Sequence, residues 1–97
     1  MKIELYQSGG YVGDRIKIKE LNDTNMSVEN VSKLKQYIKE ADFFKIDANQ
    51  LSSDQVIASP LIYELTIADG KKSKTVKAVS PSTNTHLSAL LTFILGL

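Results

Sequence analysis

The pattern of two strands around a tight turn, followed by an amphipathic helix, occurs twice in this chain. That repetition limits its folds more than any single motif does. Residues 3–7 and 12–21 flank Ser8-Gly9-Gly10-Tyr11, and a helical pattern follows from 28 to 41. Residues 61–68 and 73–79 then flank Asp69-Gly70, and 87–95 carries a second helical pattern. The order predicts one α+β domain spanning residues 1–97, with ββαββα topology. Its sheet would be four-stranded and antiparallel, made of two hairpins, with both helices packed on one face. The repeat is architectural, without matching sequence between the halves, so function has to be sought in loops and surfaces.

Side-chain chemistry refines each element. Gly9-Gly10 suits a two-residue primed turn, which sets Ile3 opposite Ile16, Glu4 opposite Arg15 and Leu5 opposite Asp14. Ile3, Leu5, Ile16 and Ile18 would then face the core, with Arg15, Lys17 and Lys19 in water. Ser27 is an N-cap candidate after the polar Asn22-Asp23-Thr24-Asn25 segment, and Glu29 sits in the first turn, where the helix dipole favours an anion. Val28, Val31, Leu34, Ile38 and Ala41 form the expected apolar stripe, and Glu29–Lys33 an i,i+4 pair. Phe43 and Phe44 follow, at least one of them plugging the end of the core. In the second hairpin, a loop at Asp69-Gly70-Lys71-Lys72 pairs Leu65 with Val76, Tyr63 with Ala78 and Glu64 with Lys77, which is better matched chemically than a two-residue Asp69-Gly70 turn. Leu87, Leu90, Leu91 and Ile94 define the buried stripe of the last helix, capped within Ser82-Thr83-Asn84-Thr85 and ended at Gly96. Residues 45–60 are the least regular stretch. Val56-Ile57 is too short for a strand, and Pro60 marks the approach to the next one.

The composition excludes several classes of function. There is no cysteine, hence no disulfide, thiol chemistry or thiolate metal ligand. No apolar run approaches the ~20 residues of a membrane span. The opening Met1-Lys2-Ile3-Glu4 lacks a signal-peptide core. These features lead us to expect a cytoplasmic protein. A formal charge of +1 gives no electrostatic reason to expect nucleic acid or membrane as a partner.

Candidate catalytic groups are scarce. His86 is the one histidine, and an exposed place in the first turn of the last helix explains it. Ser8-Gly9-Gly10-Tyr11-Val12-Gly13 joins two strands instead of opening a helix, so it lacks the dipole of a phosphate loop. Asp47, Asp54 and Asp69 lack calcium-loop spacing. Lys71, Lys72, Lys74 and Lys77 have no interleaved aromatic for base stacking and read as edge protection. The chain is therefore read as a non-enzyme without cofactor or metal. Met26 has two readings. It is either a hydrophobic staple to Val31 or, with Thr24 and Asn25, the apolar tip of a partner-binding loop.

Ser8-Gly9-Gly10 with Gly13, Ala41-Asp42-Phe43-Phe44, Tyr63-Glu64-Leu65-Thr66-Ile67, Asp69-Gly70, Thr75-Val76 and a leucine-rich final helix occur in this order over nearly the whole chain. As a set they resemble emfourin, the protealysin-associated inhibitor of thermolysin-like zinc metallopeptidases. The resemblance implies a bacterial protein inhibitor, monomeric when free, that covers the active-site cleft of such a peptidase. It places Met26 where the family has a bulky aliphatic residue, facing the apolar pocket beside the peptidase's metal. Without a second metal-binding side chain, exclusion of substrate rather than chelation is the expected mode.

Overall fold

The computed structural model describes residues 1–9, 15–50, 61–80 and 84–97. Along the chain lie β1 (Lys2–Gly9), β2 (Ile16–Asn22), α1 (Val28–Ala41), β3 (Asn49–Gln50), β4 (Leu61–Asp69), β5 (Lys72–Ser80) and α2 (Thr85–Leu95). The fold is α+β, but its sheet has five strands and is mixed, in the order β2-β1-β4-β5-β3. This corrects the expected four-stranded antiparallel sheet. The added strand comes from the irregular stretch after α1. Asp47 Oδ1 accepts from the Asn49 N–H and turns the chain, and the Lys77 N–H then donates to the Ala48 carbonyl at 2.8 Å. Asn49 and Gln50 lie parallel to β5, opposite Lys77 and Ala78. Two polar residues carry no period-2 apolar signal, so nothing in the sequence announces this strand.

The two hairpins meet at the centre of the sheet, where β1 and β4 run antiparallel with Ile3 opposite Ile67 and Leu5 opposite Leu65. In the second hairpin Leu65 faces Val76, Tyr63 faces Ala78 and Glu64 faces Lys77, as the chemistry of the pairs predicts. The ladder runs one pair further, to Asp69–Lys72, leaving Gly70-Lys71 as the turn with Gly70 at φ 62°. A positive φ at the first central position is the type II′ pattern, which matches the strand twist.

The first hairpin departs from expectation. Ile3 lies opposite Leu21, Glu4 opposite Glu20 and Leu5 opposite Lys19, and the register then shifts so that Tyr6 meets Lys17 and Gln7 meets Ile16. A two-residue Gly9-Gly10 turn is incompatible with this pairing; residues 10–14, including Asp14, lie outside the described residues. The shift skips Ile18, and such a bulge re-phases the strand. Leu21 thereby takes the buried place expected of Ile16, and Ile16 is left 47 % exposed while Ile18 packs only partly on the core.

One apolar cluster joins Ile3, Leu5, Leu65, Ile67 and Val76 of the sheet to Leu34 and Ile38 of α1 and Leu87, Leu90 and Ile94 of α2. Both helices thus cover the same face. Tyr37 and Phe93 stack between them, with ring centroids 4.8 Å apart. Phe43 is fully buried, with Phe44 edge-on to it. Its place follows from how α1 ends. Asp42 takes a left-handed conformation (φ 52°), its N–H reaching the Lys39 carbonyl and that of Phe43 reaching Ile38. This Schellman closure turns the next side chain back under the helix. At the other helix, Asn84 caps the start by accepting from the Leu87 N–H at 3.1 Å. Gly96 closes the end in a right-handed conformation.

Candidate functional site

The loop between β2 and α1 is short, polar and braced from within. Asn22 Oδ1 accepts from the Thr24 N–H at 2.9 Å, from the Asn25 N–H at 3.1 Å and from the Thr24 hydroxyl. Asn25 answers: its Oδ1 accepts from the Asn22 N–H at 2.8 Å, and its Nδ2 donates to the Glu20 carbonyl at 3.2 Å. Two asparagines therefore close the loop on itself, an arrangement that suits side chains able to mimic backbone turns. Ser27 then caps α1 by accepting from the Asn30 N–H at 3.1 Å, and Glu29 pairs with Lys33 at 3.2 Å.

Of the residues expected to meet a partner, Thr24 and Asn25 are exposed on this loop, while Met26 is half-buried and packs against the core. Met26 and Val31 line one shallow depression of about 190 Å³ with Asp23, Val28 and Lys35. That proximity is what a staple requires, and it leaves part of the thioether side chain at the surface. Val28, expected in the buried stripe, is instead 88 % exposed. It is the first helical residue, and the buried positions of α1 begin only at Leu34, so helical phase alone does not place it. Met26 and Val28 together give the braced loop an apolar shoulder. Asn22 was not singled out beforehand, although Asn two residues before Thr is a turn-forming signal.

Other candidates resolve simply. His86 is exposed in the first turn of α2. Gly9 has φ 85° at the end of β1, and residues 10–13 of its glycine-rich segment lie outside the described residues, as do Asp54, Val56-Ile57, Pro60 and Ser82-Thr83. Among the described residues no three His, Asp or Glu side chains gather as a metal site, and no helix is long and apolar enough to cross a membrane.

The sheet face away from the helices carries a charged network. Arg15 forms a two-pronged bond to Glu64, at 2.8 and 3.1 Å, and its guanidinium lies 3.7 Å from the centre of the Tyr6 ring. Lys2 and Lys17 reach both Glu4 and Glu20 within 4 Å. The hydrogen bond from Lys2 holds the Glu4 carboxyl below its ordinary pKa, with Lys17 adding to the effect. The bond to Glu20 raises the Lys17 ammonium. These groups neutralise one another. Comparison of the chain with family models, with curated proteins and with solved structures returns no match.

Proposed function

We propose that this chain is a proteinaceous, non-enzymatic inhibitor of a thermolysin-like bacterial zinc metallopeptidase, and that Thr24, Asn25 and Met26 enter the active-site cleft. The reading starts from the emfourin-like order of motifs. The observation that carries it is a loop already cross-braced by Asn22 and Asn25, with an apolar shoulder at Met26 and Val28. Tight inhibitors gain affinity by presenting a preorganised anchor, because little freedom is then lost on binding. A thioether adapts to an apolar pocket, and Thr24 and Asn25 beside it are exposed polar residues of the kind that form an interface rim.

The test is titration of the purified protein against a panel of thermolysin-like peptidases, with Met26→Ala beside it. The proposal expects inhibition by the parent chain and a loss of binding of about 2 kcal/mol or more in the variant. Its melting temperature should fall comparatively little. Inhibition left intact in a destabilised variant would assign Met26 to the staple alone. Absence of inhibition at micromolar concentration across the panel favours a second reading, a non-catalytic interaction module docking through loops or a sheet edge. Strand β2 is such an edge, although Lys17, Lys19 and the bulge at Ile18 blunt it.

A further inference from the structure

At the far end of α1 from the braced loop, three segments distant in sequence converge: the last turns of the helix, the loop that follows it and the turn of the second hairpin. Lys35, Lys39, Lys45, Lys71, Lys72 and Lys74 surround two adjoining depressions of about 330 and 430 Å³, which share Phe44, Lys45 and Lys72. Asp42 and Asp69 are the carboxylates on their rim. Apolar surface enters from Ile38 and Phe44. Among the described residues none of these six lysines forms an ion pair; the pairs lie on the outer sheet face, at Met1–Asp23 and in the first turns of α1. Lys74 instead donates to the Ile46 carbonyl, and the Lys72 ammonium lies 5.8 Å from the centre of the Phe44 ring. In a chain of formal charge +1, six lysines against two aspartates therefore concentrate positive charge at one end. Such a concavity attracts anions and steers their approach.

We infer that this end binds an acidic peptide segment, its carboxylates against Lys45, Lys71 and Lys72 and one apolar side chain against Phe44. Nucleic acid fits less well. One face of Phe44 is occupied by Lys72 and the ring is set edge-to-face with Phe43, so it offers no open platform to a base. No arginine lines the depressions, so the planar fork that grips phosphate is missing, and two aspartates interrupt any phosphate track. The lysines read from sequence as edge protection thus acquire an aromatic neighbour from a segment some thirty residues earlier. The inference is tested apart from the inhibitor reading: the two surfaces meet at Lys35, whereas Lys45 and Lys72 line this one and not the depression beside Met26.

The experiment titrates isotope-labelled protein at low salt with the peptide acetyl-Glu-Glu-Leu-Glu-Glu-amide and follows amide chemical shifts. The expected result is a saturable change confined to residues 38–45 and 69–74, weakened by added salt. The double variant Lys45→Glu/Lys72→Glu, at exposed positions, should bind about tenfold more weakly. Lys19→Glu on the opposite sheet edge should bind as the parent does. Replacing the leucine of the peptide by glycine should weaken binding several-fold. No saturable change at millimolar peptide, or equal binding by the double variant with its circular dichroism intact, overturns the inference. Tighter binding of a charge-matched oligothymidylate at the same residues overturns it in favour of nucleic acid. None of these outcomes depends on peptidase inhibition.

Discussion

Asn22 holds the braced loop through one oxygen that serves three donors, two of them backbone N–H groups. Removing that acceptor leaves the donors to water and frees the turn. Asn22→Ala should therefore cost about 1 kcal/mol of stability, the net worth of hydrogen bonds lost at an exposed site. Amide exchange at Thr24 and Asn25 should quicken, whereas Asn22→Asp, which keeps the acceptor, should stay close to the parent. Unchanged exchange in the alanine variant would show that the backbone alone sets the loop. At this scale the sequence was legible wherever a side chain acts on its own neighbours. Ser27, Glu29 and Lys33 stand where local capping and dipole rules put them. Val28 was misread because period tells which side of a helix a residue is on and not how far along it the partner layer extends.

The two hairpins show why one register could be read and the other could not. In the second, Tyr63 and Leu65 meet Ala78 and Val76 on the inner face while Glu64 meets Lys77 on the outer one, so this alignment across a short turn suits both faces. In the first, the bulge at Ile18 breaks the alternation on which such matching depends. The outer face of this hairpin carries the charged network of Lys2, Glu4, Lys17 and Glu20, and this makes the hairpin sensitive to pH. Glu4 titrates lower in the folded chain than in the unfolded one, chiefly because Lys2 bonds it. Its contribution is present above the unfolded carboxylate pKa and is lost as pH falls through the folded value. Lys17, raised by Glu20, behaves oppositely: its contribution is present below the unfolded lysine pKa and is lost as pH rises through the folded one. Lys17 is exposed and Glu4 is half-buried but open to solvent, so the effects are small and screened by salt. Glu4→Gln should lower the melting temperature at about pH 7, and the difference should shrink as falling pH protonates the carboxyl in both folded and unfolded chains. An offset that persists at the acid end would mean that the side chain acts through packing.

Across the whole molecule, the helices and the single core were legible because each helix and long strand advertises an apolar side, whereas the left-handed closure of α1 at Asp42 was not. The sheet order was not, since nothing local specifies that β1 should pair with β4. That central pairing, which joins Lys2 to Ala68 and Gly9 to Leu61, governs how the chain can assemble. Every contact along it closes a loop containing α1 and most of the sequence, and such closure loses chain entropy before the pairing returns any energy. Folding should therefore be concerted and comparatively slow for a chain of this size, in the range of milliseconds to roughly a second. A fragment of residues 1–48 should show no cooperative thermal transition by circular dichroism. Adding the fragment 49–97 in trans should restore one, because it supplies β4. A fragment that melts cooperatively alone would mean that the first hairpin and α1 form an independent unit. If it does not, the strand bearing Ile3 and Leu5 stands with one edge open until β4 arrives. The same backbone groups that unite the two halves of the monomer are then, for that interval, the place where two molecules exchange strands.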